Sequence, residues 1–220
     1  LPDQPMPNNE LPVNSLMSKL PGSQNGFSLT ELAIVLVIVG LLFAMLTPPL
    51  SAQIDQRYYN ETKKSISEIQ EAIIAFAVVN GRLPRPATSA TDGIENPSTC
   101  STDAACTGFV PWQTLGTNKT DSFGKIIRYS VTPTYADSSF LLTTAASKKI
   151  QSRDASGTLV YIVGSASPCS STNLCSPAVV YSAGKANFGT LSDGTVLPNA
   201  NLASTNTDEI ANDTAQISFI

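Results

Sequence analysis

Residues able to do chemistry are few in this chain, and their spacing excludes more than it offers. There is no histidine among the 220 residues. That removes Ser-His-Asp and Cys-His nucleophilic catalysis, and every histidine-containing zinc site. Carboxylate or lysine chemistry would remain, but the commonest general acid–base group is missing. The glycine-containing stretch SAGKANFG lacks the spacing of a phosphate-binding loop. No catalytic residue, no enzyme activity and no cofactor are expected. The cysteines fall into two groups of equal spacing, Cys100/Cys106 and Cys169/Cys175, each C-x5-C in a Ser/Thr/Asn-rich stretch. Zinc knuckles favour C-x2–4-C and redox dithiols C-x-x-C, so two local disulfides formed in an oxidising compartment fit better. Four cysteines allow three connectivities, and cross-pairing, free thiols or metal stay open as alternatives.

Three smaller constellations stand beside these. Asp208, Glu209, Asn212 and Asp213 cluster near the end of the chain. Oxygen ligands suit calcium, which makes Asp208, Glu209 and Asp213 a weak calcium candidate, but the spacing is not that of an EF-hand loop. A solvated turn is the simpler reading, and no metal is expected. Lys148, Lys149 and Arg153 make a local basic patch without flanking aromatics, too thin to carry nucleic-acid binding. A net charge of −4 and a pI near 4.8 point the same way. Trp112, the single tryptophan, reads as a packed plug under a loop rather than a ligand platform.

One acid is placed differently from the rest. Glu31 stands at the edge of fifteen nearly unbroken apolar residues, Leu32 to Leu46, and no charge follows until Asp55. A charge at the centre of a bilayer helix costs about 2.5–3.5 kcal/mol, and an acid near the membrane edge usually has a function and a partner. The length suits a span, which needs about 20 residues. A secretory signal peptide would be followed by a small-residue cleavage site, and PPLSAQ is a poor one. A plain signal anchor explains the span but not Glu31.

The stretch GFSLTELAIVLVIVGLL, residues 26–42, resembles the processing site and helix start of type IV pilins and type II secretion pseudopilins. The family pattern is a glycine, an aromatic residue, a short polar stretch ending in glutamate, then an apolar helix. Gly26, Phe27, Ser28, Leu29, Thr30 and Glu31 supply it in order. The resemblance implies that a prepilin peptidase cuts between Gly26 and Phe27 on the cytoplasmic side and methylates the new amino group of Phe27. It also implies a role for Glu31. In a staggered bundle its carboxylate can neutralise the amine of an adjacent subunit inside an apolar core, where an unpaired charge is costly. Glu31 would then set register during assembly.

Family leaders are short and basic, whereas residues 1–26 hold one cation, Lys19. Translation from Met17 would give the ten-residue leader MSKLPGSQNG and leave Leu1–Leu16 ahead of the true start. The positive-inside rule runs against the implied orientation, since Arg57, Lys63 and Lys64 follow the span closely. The processing motif and the paired cysteines both place the carboxyl-terminal domain outside, and they are given precedence.

The elements that must carry these residues read as follows. Pro48 and Pro49 should bend or weaken the helix. Beyond them Ile54, Tyr58, Ile66, Ile69, Ile73, Phe76 and Ala77 form one apolar stripe at helical spacing. Asn80–Gly81 and Pro84 supply a stop. A helix from Phe27 to Asn80 would extend about 80 Å at 1.5 Å per residue. Candidate strands follow in KIIRYSV, SFLLTTA, TLVYIVG, PAVVYSA and QISFI, with no strand–helix alternation, so the sheet should be antiparallel. The expected fold class is α+β, a long N-terminal helix packed on a small antiparallel sheet with long loops, as in type IV pilin-like subunits.

Four later segments, RLPRPA, GFVPWQTLG, DSFGKIIRYSV and VVYSAGKANFG, resemble a subgroup of pilin-like proteins, with Arg85 where a cysteine is frequent. The resemblance covers roughly residues 26–188 and extends to TDEIANDTAQISFI. The expected organisation is a leader (1–26), a transmembrane or filament-core helix (27–53) and a periplasmic pilin-like domain (54–220). The expected function is that of a minor pilin or pseudopilin. It is inserted once in the inner membrane with its carboxyl-terminal domain periplasmic, then built into a pilus or pseudopilus. Its implied partners are other pilin or pseudopilin subunits, the prepilin peptidase and an inner-membrane assembly platform. The competing class is a membrane-tethered ligand-binding or adhesive domain that never joins a filament.

Overall fold

The computed structural model describes residues 26–170, 172–185, 188–197 and 207–220, without the side chains of residues 44–50. The expected leader therefore lies outside the described residues, apart from Gly26. The chain divides into two compact units, Leu1–Pro49 and Leu50–Ile220. One helix, α1 (Leu29–Asn80), contributes residues to both and is uninterrupted through Pro48 and Pro49. It ends where Gly81 takes a left-handed φ of 70°, open to glycine without steric cost. The Gly81 amide donates to the Ala77 carbonyl at 2.8 Å, and the Asn80 side chain donates to the Phe76 carbonyl at 2.9 Å.

Within the second unit, α1 buries Thr62, Ser65, Ile69 and Ile73. Phe76 and Ala77 are half-buried on the same side. Ile54 and Tyr58, expected on this stripe, are 45% and 39% exposed. Tyr58 meets the Phe123 ring edge-on at 5.7 Å, and between it and Ile69 the buried positions are polar, Thr62 and Ser65. The Thr62 hydroxyl accepts from the Ser122 amide at 3.2 Å, and the Ser65 hydroxyl accepts from the Asn118 side chain at 3.3 Å.

The second unit is α+β. Strands β1 (Thr107–Phe109), β2 (Arg128–Val131) and β5 (Ala178–Tyr181) form an antiparallel sheet in the order β1-β2-β5. The short helix α2 (Trp112–Leu115) follows β1, and α3 (Pro133–Asp137) follows β2. As the middle strand, β2 is paired along both edges, and Tyr129, Ser130 and Val131 are all fully buried. Ile127, Tyr129 and Val131 pack with Ile69 and Ile73 of α1, Leu83, Val110, Ala136 and the Cys100–Cys106 pair in one core. On its other face the Ser130 hydroxyl meets that of Thr107 at 2.7 Å.

A second sheet has the order β4-β3-β8, from β3 (Lys149–Arg153), β4 (Leu159–Val163) and β8 (Ser218–Phe219). Strands β3 and β4 are antiparallel, but β3 and β8 are parallel. This corrects the expectation of a single antiparallel sheet. A parallel pair needs a long crossover, and residues 154–217 supply one. Strands β6 (Gly189–Thr190) and β7 (Val196–Leu197) form a two-stranded pair, and α4 (Thr207–Asp213) precedes β8.

SFLLTTA, expected as a strand, is a turn that leaves Leu141 and Leu142 exposed. Pro133, with its fixed φ, opens α3 just upstream. The turn is then closed by Thr144, whose hydroxyl accepts from the Leu141 amide at 2.9 Å. Its carbonyl accepts from the Tyr135 hydroxyl at 2.7 Å.

Candidate functional site at the start of α1

Gly26, Phe27 and Ser28 are non-helical, and α1 begins at Leu29. Phe27 is 84% exposed. Among the described residues, a Cβ built at Gly26 would meet nothing within 4 Å. Packing among the described residues therefore gives no reason for glycine at that position.

Ser28 and Glu31 form a reciprocal capping box. The Glu31 carboxylate accepts from the Ser28 amide at 2.9 Å, and the Ser28 hydroxyl accepts from the Glu31 amide at 3.2 Å. Two amides that the helix cannot satisfy itself are thus paired. An acid in the first turn also sits favourably at the positive end of the helix dipole. The signal was present in the sequence as Ser-x-x-Glu, and reading Glu31 only against the apolar run missed it.

After Glu31 the helix is apolar on every side. Leu32, Ile34, Val35, Leu36, Val37, Ile38, Leu41, Leu42 and Phe43 are each more than half exposed. A helix with no polar face is stable where something apolar surrounds it. Among the described residues no helix is long and apolar enough to cross a membrane. The described side chains of the apolar run end at Phe43, and the rest of it to Leu46 lies outside the description.

Residues 22–47 match the prokaryotic N-terminal methylation motif. This is the signal motif of type IV pilin and pseudopilin precursors, which prepilin peptidase processes. The motif spans the candidate junction, the capping box and the apolar turns, and ends before the second unit begins. No curated protein and no solved structure matches the chain.

Elsewhere the structure distributes the candidate residues differently from the sequence. Disulfides join Cys100 to Cys106, with Cα atoms 5.1 Å apart, and Cys169 to Cys175, 5.8 Å apart. The first is fully buried in the core. Arg85 is held by charge rather than by a covalent bond. Its Nε donates to Asp137 at 2.6 Å, and the other Asp137 oxygen accepts from the Cys100 amide at 2.8 Å. Beside it, Arg82 grips Glu95 through two bonds of 2.8 and 2.9 Å, and Glu95 also accepts from the Arg85 amide at 3.1 Å. Burial pushes the Glu95 carboxyl up, but Arg82 and the Arg85 amide outweigh it and hold it below the usual carboxylate range.

The basic patch dissolves in three dimensions. Lys148 is fully buried, its amine donating to Asp103 and to the Gln216 carbonyl, both at 2.6 Å. Burial lowers its pKa against the opposing pull of Asp103. Lys149 donates to the Ser167 carbonyl at 2.9 Å, and Arg153 pairs with Asp208. Each cation is committed to a different internal acceptor, so no shared basic surface forms.

The acidic cluster is split in the same way. Arg153 donates twice to Asp208 and lowers its carboxyl pKa. Among the described residues no group of three or more acids, cysteines or histidines is placed to hold a metal ion. Trp112 is partly buried under a loop whose Gly93 has a φ of 62°. A Cβ there would lie 2.0 Å from the indole ring, which makes glycine obligatory.

Proposed function

We propose that this chain is a structural subunit of a type IV filament, a minor pilin or pseudopilin, cut between Gly26 and Phe27 and assembled through the first part of α1. The observation that carries the reading is the methylation motif at residues 22–47, lying over a helix start whose apolar side chains are exposed among the described residues. Gly26 fits the reading: among the described residues nothing crowds that position, which leaves it open to a processing enzyme. In this reading the chain is anchored in the inner membrane with the second unit on the periplasmic side. The Leu32–Leu46 surface is then transferred from lipid to neighbouring helices. Removal of the leader exposes a cationic amine at Phe27, and Glu31 meets the amine of the next subunit. In the single chain Glu31 is occupied by the Ser28 amide, so assembly exchanges a weak backbone partner for a full charge.

Mass spectrometry of the mature amino terminus, with and without the peptidase, tests the processing step. An N-methylated Phe27 that depends on the peptidase is expected; an uncut chain would leave a tethered domain as the better account. Glu31→Gln tests assembly. Glutamine keeps an oxygen that can cap Ser28 but lacks the charge. The variant should be cleaved normally yet enter filaments at least tenfold less well. Assembly equal to that of the parent would mean that Glu31 serves only as a helix cap.

A further inference from the structure

Lys148 is fully buried, and its amine is held against a carboxyl group. Nζ donates to Asp103 Oδ1 at 2.6 Å and to the Gln216 carbonyl at 2.6 Å. The Ser147 hydroxyl donates to the same Asp103 oxygen, also at 2.6 Å. Asp103 is fixed in turn. Its backbone carbonyl accepts from the Thr107 hydroxyl at 2.8 Å, and it lies inside the loop closed by Cys100 and Cys106. Other ion pairs differ. Arg82–Glu95, Arg85–Asp137 and Arg153–Asp208 use guanidinium groups, which do not lose their proton. Lys64–Glu68 and Lys185–Asp55 are open to water, with lysine side chains 79% and 71% exposed. At Lys148 burial favours the neutral amine, the form that can act as a nucleophile.

We propose that Lys148 and Asp103 condense to an intramolecular isopeptide bond. An amine nitrogen at hydrogen-bond distance from a carboxyl oxygen lies about 3–3.5 Å from the carboxyl carbon, the separation of a near-attack pair. The terminal torsion of an aspartate is soft, so a small rotation turns the face of the carboxyl group to the nitrogen. The ammonium first passes a proton to Oδ1. This leaves a neutral amine and a neutral acid, which burial favours over two charges. The nitrogen lone pair then attacks Cγ, while the Gln216 carbonyl holds the nitrogen in place. The bond from Cγ to Oδ1 breaks. Oδ1 departs as water, with the proton it already holds and a second from the attacking nitrogen, relayed by the Ser147 hydroxyl. One amide and one water replace one ammonium and one carboxylate. Nothing is oxidised or reduced, and the net charge is unchanged. The Asp103 side chain is 25% exposed, which gives the water a way out. Condensation also removes two charges from a site where keeping them is costly. The product ties the Cys100–Cys106 loop to the residue that precedes β3, a covalent closure that survives reduction.

Mass spectrometry of the full chain, purified from the expressing cell, reduced and alkylated, tests the bond. The parent should be lighter than its sequence by one water, whichever amino terminus it carries. Lys148→Arg keeps a cation for Asp103 but cannot condense, and should show its full mass. Trypsin should release from the parent a branched peptide that joins the segment containing Asp103 to the one containing Lys148. This readout uses the parent alone, so it stands even where the variant fails to fold. On a reducing, denaturing gel the parent should run ahead of Lys148→Arg, because a closed loop keeps the unfolded chain more compact. A parent of full mass that trypsin cuts after Lys148 would overturn the proposal. So would a water loss that persists in Lys148→Arg, which would place it in a cyclised aspartate instead. None of these readouts depends on cleavage after Gly26 or on assembly.

Discussion

The two ends of α1 use the same residue types and give them opposite fates. In the first unit Leu36, Val37 and Ile38 are 64%, 62% and 51% exposed. In the second, Ile69 and Ile73 are 0% and 6% exposed, sealed by β2 and the Cys100–Cys106 pair. Burying one such side chain stabilises by about 1.5–3 kcal/mol. The second unit realises that gain within the chain; the first holds it unspent until something apolar surrounds it. The difference lies in the covering elements. A sheet has a face to offer α1 from Thr62 onward, and no described element offers one to Leu32–Phe43.

Truncation should separate the two regions most sharply. Ile127→Ala, at a fully buried position, should destabilise the fold by about 2–5 kcal/mol. Leu36→Ala should change the unfolding of the second unit by less than about 0.5 kcal/mol. Urea unfolding followed by near-ultraviolet circular dichroism reads both, and comparable losses would erase the distinction.

A smaller effect is expected from the disulfides. Both loops have the same length, so the loop-entropy contribution is alike, about 2 kcal/mol each. Replacing Cys100 and Cys106 by alanine should cost more than replacing Cys169 and Cys175, because the first pair also fills the core. Equal shifts in Tm would show that packing adds nothing at that pair.

The smallest effect is a pH dependence from Glu95. Its folded carboxyl is held below the ordinary value, so the unfolded chain binds the proton more readily. The associated stability is fully present above the unfolded pKa and is lost as pH falls through the folded one. Glu95→Gln should therefore flatten the acid side of a Tm-against-pH curve and leave the neutral region less stable. An unchanged acid limb would place the sensitivity elsewhere.

The site was more legible than the fold around it. Gly26 through Glu31 is a run of adjacent residues, and the apolar turns follow without a gap, so local order carries the whole signal. The capping box was equally local and was overlooked beside the stronger cue of an acid at the edge of an apolar run. Strands β2, β4 and β5 announced themselves through β-branched and aromatic residues. Strand β3 did not: Lys149, Gln151, Ser152 and Arg153 show no apolar alternation, because its side chains serve ion pairs and hydrogen bonds. SFLLTTA misled in the opposite direction, since apolar residues in a turn look like a strand until Thr144 is seen to close it.

What the sequence determined by itself is whatever depends on neighbours a few residues apart: the processing motif, the extent of the long helix with its glycine stop, and the exclusion of histidine chemistry. What only the tertiary structure decided is whatever depends on residues far apart in the chain. Lys148 is buried because Asp103 and Gln216 reach it from distant segments. Arg153 belongs to Asp208, and β3 runs parallel to the last strand. A charge or a strand records in sequence what it is, but its partner is set by the folding of the chain between them, and that partner fixes whether it faces solvent or core.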